Sequence, residues 1–220
     1  MNLIDIRFLG RKDYHSTWDL QKSLLEDRKE EKIQDTLLLV EHDPVFTAGK
    51  TFNKENILDR ISDGNLSGIP LVNIDRGGDI TFHGPGQLVG YPVIYLGNYY
   101  LDLHRYLRDL EEVIIMTLAD FGIGAGREKG LTGVWVDGEK IASIGVKVSK
   151  WYTMHGFALN VNTDLSYYEN IVACGIKDRK AVSMSKILGN NVNFEEAVSR
   201  TGENFIKLFT IRYRERADKI

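Results

Sequence analysis

Cys174 is the only cysteine in this chain of 220 residues. A lone thiol either packs as a small hydrophobe or attacks an electrophile as the thiolate. Two glycine-rich segments hold the other residues with chemical potential. The first, residues 76–87, contains Gly77, Gly78, Gly84 and Gly86 together with Arg76, Asp79 and His83. Glycines in a strand-like run mark either close approach to the backbone or the bulges of a twisted hairpin. The second runs from Lys140 through Ser143, Ile144 and Gly145, followed by His155, Gly156, Phe157 and Ala158. Small side chains there leave room beside a pocket or let two sheets pack. By default Lys140 is a solvated strand lysine, and His83 and His155 are satisfied by backbone. Singly, none of these residues makes an enzyme.

Other chemistries fail on spacing. Ala48-Gly49-Lys50-Thr51 resembles the end of a phosphate-binding loop, but that pattern needs glycine where Pro44 stands, and proline has no N–H to offer. Gly122, Gly124 and Gly126 follow a predicted helix, whereas a dinucleotide site requires a strand there. Ile141 occupies the first glycine position of a nucleophile elbow around Ser143. The five histidines show no close pair with metal-ligand spacing, so neither metal nor cofactor is expected. One cysteine excludes an intramolecular disulfide, a cysteine-rich zinc site and Cys-x-x-Cys redox chemistry. The net charge of −3 gives no reason to expect nucleic acid as a partner. The N-terminal ten residues lack the apolar core of a signal peptide, and no apolar run nears the ~20 residues that span a bilayer. A cytoplasmic protein without a membrane partner is expected.

The elements that must position these residues follow from periodicity. Ile4, Ile6 and Phe8 alternate as in a half-buried strand, and Tyr14, Trp18, Gln21, Leu24 and Leu25 share a helical face. Residues 36–41 form a buried strand, and residues 47–70 a long loop with one helical turn. Strands are predicted at 71–75, 78–82 and 88–96, and a helix at 101–121. Asp137-Gly138 suits the positive φ angles of a tight turn between strands at 133–136 and 139–148. A strand at 153–162, an irregular stretch at 163–181 holding Cys174, a short helix at 183–188 and a closing helix at 194–214 complete the chain. Strands in adjacent groups with few crossover helices predict an α+β fold, a mixed or antiparallel sheet flanked by helices, in one domain over 1–220.

Together these segments resemble the lipoyl(octanoyl) transferase family of the biotin/lipoate ligase superfamily. The resemblance starts at Gly10-Arg11 with Asp13, Tyr14, Trp18 and Gln21, and continues through residues 37–49 (LLLVEHDPVFTAG). It takes in 76–87 (RGGDITFHGPGQ), Gly90-Tyr91-Pro92, Gly133-Val134-Trp135-Val136, 140–145, 155–160 and Cys174-Gly175-Ile176. It implies a biotin/lipoate ligase-like catalytic domain that moves an octanoyl group from acyl carrier protein to a lysine of a lipoyl domain. The implied acceptors are the lipoyl domains of 2-oxoacid dehydrogenase complexes and the glycine cleavage H protein. The family's thioester-forming cysteine falls on Cys174 and its partner lysine on Lys140. The family's acyl site falls on Arg76, Gly77, Gly78, Asp79, Ile80, Thr81, Phe82 and His83, on Ser143, Ile144 and Gly145, and on Gly156, Phe157 and Ala158. Three positions depart from the family pattern: Asp43 and Ala173 stand where proline is common, and Val182-Ser183-Met184 replaces Val-Thr-Ser. Loss of proline at 173 is expected to loosen the cysteine loop.

The implied chemistry is self-consistent. An acyl carrier thioester is already activated, so a thiolate exchanges with it at little cost and an amine then converts thioester to amide without ATP. Lys140 is expected to take the thiol proton, for which partial burial helps. Backbone N–H groups around Gly77-Gly78 or Gly145 are candidates for the oxyanion. Phe82, Leu88, Val89, Phe157 and Leu159 are candidate walls for the acyl tail. Lys177, Arg179 and Lys180, helped by Lys147 and Lys150, form a candidate basic rim for the acidic carrier protein. The rival readings are an ATP-dependent lipoate or biotin ligase, a non-catalytic acyl-binding module and a cysteine thioesterase.

Overall fold

A computed structural model describes residues 4–172 and 180–218. Its larger sheet has six strands in the order β1-β2-β8-β11-β10-β9: β1 Ile4–Lys12, β2 Asp35–His42, β8 Gln87–Val93, β11 Tyr152–Asn160, β10 Glu139–Ser149 and β9 Val134–Val136. Only β1 and β2 run parallel in it; the other neighbours are antiparallel. Strand alternation sorts its side chains onto two faces. Leu37, Leu39, Leu88 and Leu159 face helices α2 (Leu103–Asp120) and α4 (Phe194–Ala217), where Leu110, Ile114, Phe205 and Phe209 complete the main core. Leu38, Val40, Val89 and Tyr91 face helix α1 (Tyr14–Lys29) through Leu24 and Leu25. Asp13, Asp102 and Asn193 cap these three helices by accepting from backbone N–H groups of the first turn.

The smaller sheet runs β4-β5-β6-β3-β7. It comprises β3 Val45–Ala48, the short pair β4 Ile61–Ser62 and β5 Asn65–Leu66, β6 Ile69–Asn73 and β7 Ile80–His83. The predicted loop at 47–70 is therefore wrong in part. Four-residue and two-residue strands among asparagines and glycines carry too little alternation to stand out. The predicted strand at 88–96 stops at Val93 because side chains take over its pairing. The Ile94 N–H donates to Thr153 Oγ1 and the Tyr95 N–H to Asp35 Oδ1. The tight turn at Asp137-Gly138 is as expected, with φ of 49° and 80°, and a short helix α3 covers Met184–Leu188.

Asp35 ties this frame together. Its buried carboxylate accepts from Arg28 Nε at 2.7 Å, from the Tyr95 N–H at 2.8 Å and from the Tyr99 hydroxyl at 2.7 Å. It links the end of α1, the start of β2 and the turn that leads into α2. Asp35→Ala leaves Arg28 and Tyr99 without their acceptor, and should lower unfolding free energy by about 3 kcal/mol. Urea denaturation at neutral pH measures this, and a loss below ~1 kcal/mol would contradict the assigned role.

Candidate active site

The 76–79 turn is fixed by a buried cation. Arg76, 8% exposed, donates from Nη2 to the Thr47 carbonyl at 2.8 Å and to Thr47 Oγ1 at 3.0 Å. Gly77 donates its N–H to the Val146 carbonyl at 2.9 Å, which binds the turn to β10 and removes this group from the oxyanion role. The segment that mimics a phosphate loop braces the same turn. The N–H groups of Gly49, Lys50 and Thr51 donate to the carbonyls of Asp79, Arg76 and Gly78. A Cβ at Gly49 would lie 2.2 Å from the Gly78 carbonyl oxygen, and one at Gly145 would lie 2.9 Å from Arg76 Cδ. The turn needs glycine on both sides because backbone and guanidinium fill the space.

Between this turn, β10 and β11 lies a cavity of about 50 Å³. Of the predicted acyl-site residues, Arg76, Gly78, Asp79, Ile80, Thr81, His83, Ser143, Ile144, Gly145, Gly156, Phe157 and Ala158 line it. Phe82 and Gly77 do not. Strand alternation turns Phe82 the other way, against Phe46 and stacked on Tyr167 with ring centroids 4.3 Å apart. Gly77 faces the neighbouring groove. Among the predicted walls Val89 and Phe157 belong to the cavity, whereas Leu88 and Leu159 point into the main core. Gly156 is dictated by its neighbour strand, since a Cβ there would sit 2.1 Å from the Gly90 carbonyl oxygen.

Sequence reasoning missed the polar wall behind the cavity. Thr47 Oγ1, which receives Arg76, lies 3.3 Å from His83 Nε2, and His83 Nδ1 lies 2.7 Å from Gln87 Oε1. The consistent assignment has Thr47 donating to Nε2 and Nδ1–H donating to Gln87, which makes His83 neutral. His42 likewise donates from Nδ1 to the Lys12 carbonyl and accepts the Tyr91 hydroxyl at Nε2. Tyr14 stacks on His83, with ring centroids 6.0 Å apart. Desolvation, and then the neighbouring His42 for His83, depress both histidines: His42 to about 4 and His83 to about 3. His155, 1% exposed and at φ 56°, binds Asp75 Oδ1 through Nε2 at 2.8 Å, while its N–H donates to Gln21 Oε1. Burial lowers the pKa of His155 against the opposing pull of Asp75. Burial works to raise Asp75, but hydrogen bonds from Lys147 and His155 outweigh it and hold the carboxyl below its usual range. Among these partners Tyr14, Gln21, His42, Thr47, Gln87 and Tyr91 fall within the family motifs, whereas Asp75 does not.

Lys140 lies at the other end of β10, where the register with β9 shifts between Lys140 and Ala142. It is 9% exposed, and its Nζ stands 5.2 Å from the centre of the Trp135 ring. Gly133, at φ 128°, packs on the side chain so closely that a Cβ would be 2.6 Å from Lys140 Cε. The fully buried Glu111 of α2 holds Gly133 by accepting its N–H at 3.0 Å, and also accepts from Arg127 Nε at 2.9 Å. The Lys140 backbone pairs with the chain after the cysteine segment, its N–H donating to the Lys180 carbonyl and its carbonyl accepting from Val182. On the near side of that segment the Val172 N–H donates to the Asn56 carbonyl, and Asn56 in turn binds Asp79. Cys174, Ala173, Lys177 and Arg179 lie outside the described residues.

Two rim residues require correction. Lys147 is bound to Asp75, and Lys150 sits at the tip of the β10–β11 hairpin, ten residues from Lys140, or about 33 Å along a strand. Among the departures from the family pattern, Asp43 accepts from Arg11 and Ser183 caps α3. Among the described residues no cluster of histidine, cysteine, aspartate or glutamate is arranged to hold a metal ion, and no helix is long and apolar enough to cross a membrane.

This architecture is that of the lipoate and biotin protein ligases. A bipartite lipoate protein ligase from Thermoplasma acidophilum superposes with a TM-score of 0.73 at 17% identity, covering 98% of this chain and 90% of its own. Lipoate-protein ligase A bound with ATP superposes at 0.70 with 16% identity, covering 98% and 92%. The chain belongs to the lipoyl protein ligase A/B catalytic domain family, whose pattern it matches over residues 13–206. It is 42% identical to an octanoyltransferase of Christiangramia forsetii, over 94% of this chain and 95% of the relative. An octanoyltransferase of Geobacter metallireducens is 50% identical over 85% and 84%.

The buried neutral histidines make stability depend on pH. The unfolded chain protonates them below about pH 6.5, whereas the native chain resists until about 4 for His42 and 3 for His83. The unfolded state thus binds more protons in that window, so stability present above pH 6.5 is lost as pH falls toward 4. Replacing His42 by glutamine should remove up to about 1.4 kcal/mol per pH unit from the slope. Urea midpoints of wild type and H42Q at pH 7.0, 6.0 and 5.0 measure it; parallel profiles would refute the neutral assignment.

Proposed function

We propose that this chain transfers an octanoyl group from octanoyl-acyl carrier protein, through a thioester on Cys174, to the Nζ of a lysine on a lipoyl domain. The octanoyl-transfer class rests on the relatives named octanoyltransferase, at 42–50% identity over most of both chains. The ligase neighbours share only 16–17% identity and bear on the fold alone. The observation that carries the assignment of residues is the position of Lys140: a buried lysine at the start of β10, the strand that supplies Ser143–Gly145 to the cavity, with its main chain paired with Lys180 and Val182 just after the cysteine segment. Val172, two residues before Cys174, is anchored through Asn56 beside Asp79. One flank is thus tied to Asp79 in the cavity wall and the other to Lys140 in the adjoining groove.

In the first half-reaction Lys140 takes the Cys174 proton and the thiolate attacks the octanoyl carbonyl. A new C–S bond forms, the carrier's C–S bond breaks, and the proton passes to the departing carrier thiolate. In the second, the acceptor amine attacks the enzyme thioester. A C–N bond forms, the Cys174 sulfur leaves, and Lys140 accepts the surplus proton and returns it to the sulfur. The fixed positive charge of the ammonium stabilises the thiolate at each stage. Gly133, Trp135 and Glu111 restrict the lysine to a narrow set of rotamers, which favours proton transfer over one short path.

The cavity lined by Gly145, Gly156, Phe157 and Ala158 takes the acyl tail, and the neutral histidines at its far end make that wall compatible with an apolar chain. The whole of residues 1–220 serves as one catalytic unit acting in the cytoplasm on lipoyl domains of 2-oxoacid dehydrogenases and the glycine cleavage H protein. Lys180, exposed beside Lys140, remains with Lys177 and Arg179 in the proposed rim for an acidic carrier.

Incubation with octanoyl-acyl carrier protein should add one octanoyl mass to the wild-type chain in intact-protein mass spectrometry. Cys174→Ala should show none, and Lys140→Ala should slow adduct formation by about 100-fold or more while remaining folded. An adduct retained in Cys174→Ala, or formed at the wild-type rate in Lys140→Ala, would overturn these assignments.

A further inference from the structure

A second groove, of about 460 Å³, adjoins the acyl cavity across Gly78, Asp79, Ile144 and Gly145 and has Lys140 in its wall. Its outer side is built by Leu103 and Leu107 of α2 and by Leu131. Leu103, the first residue of α2, is 41% exposed, so the groove shows a leucine to solvent in a place the core does not require. Gly77, Gly78, Gly130 and Gly145 also line it and present backbone rather than side chains.

We infer that this groove holds the donor's prosthetic arm, a pantetheine-type chain of amides with a branched apolar segment and a terminal thioester. The inference deepens the transfer reading above and rests on it. Three features favour this occupant. The groove meets the acyl cavity across Gly78, Asp79, Ile144 and Gly145 and has Lys140 in its own wall, so a thioester at their junction has its acyl tail on one side and its thiol arm on the other. Leu103 and Leu107 lie one helical turn, about 6 Å, apart, and Leu131 extends the apolar wall. A lining that combines exposed backbone with leucine side chains matches an arm that alternates amides with methyl-bearing carbon. Lys50 and Lys129, exposed and next in sequence to the lining residues Thr51 and Gly130, suit an acidic domain at the mouth.

The test uses Leu103→Asp, in the full chain. Position 103 is the first residue of α2 after its Asp102 cap, where an acidic side chain suits the helix dipole and folding is preserved. Acylation of Cys174 is followed with octanoyl-acyl carrier protein, octanoyl-pantetheine and octanoyl-N-acetylcysteamine, the last lacking most of the arm. The expected result is KM raised about tenfold for the two full-arm donors and nearly unchanged for the truncated one. Deacylation of pre-formed octanoyl-enzyme by a lipoyl domain should keep its wild-type rate. Equal losses with all three donors, or a loss confined to deacylation, would overturn the groove assignment while leaving the transfer reading intact. A wild-type chain that no donor acylates would overturn the transfer reading and the groove with it.

Discussion

A guanidinium buried among backbone carbonyls sets the terms for the cavity. Arg76 reaches Thr47 on the smaller sheet while its own turn is pinned to β10 through Gly77. A cation held there cannot tolerate positive neighbours, and the histidines beside it are depressed in part by its charge as well as by burial. The Arg76 side chain and the backbone of its turn leave no room for a Cβ at positions 49 and 145, which explains two glycines far apart in sequence. The turn, its glycine neighbours and part of the depression of His83 and His155 thus follow from one buried group.

Strand β10 then works as a ruler. Its start carries Lys140, aimed by the register shift against β9 and packed on Gly133 and Trp135. Its middle supplies Ser143, Ile144 and Gly145 to the cavity, and Lys147 near its end joins Asp75 and His155. An apolar substrate laid along this strand meets Lys140 toward its start and, toward its middle, cavity walls whose charged members Arg76 and Asp79 are held by hydrogen bonds. Such an arrangement separates the chemistry of the thioester from the recognition of its tail.

Much of this was legible in the sequence, for identifiable reasons. The continuous apolar run at 36–41 and the Asp137-Gly138 pair are local signals, and both elements formed where these residues placed them. The smaller sheet was mostly illegible because β3, β4 and β5 are shorter than the window over which alternation can be read. The acyl-site segments were legible as motifs, yet alternation within β7 removes Phe82 from a run of otherwise correct neighbours. Lys147 and Lys150 looked like helpers by charge, but one is claimed by Asp75 and the other lies at the wrong end of a strand. Glu111 was the hardest to see: a carboxylate on a helix reads as solvent-facing until the buried Gly133 N–H requires an acceptor. Asp75 and Thr47 likewise acquire meaning only through partners distant in sequence.

The central claim is that Lys140 and Cys174 act as a proton-transfer pair. The pH dependence of Cys174 alkylation by iodoacetamide, in wild type beside Lys140→Met, tests it most directly. The account predicts an apparent thiol pKa in the wild type well below the free-cysteine value of about 8.5, and a return toward that value in the variant. Superimposable profiles in the two proteins would contradict it.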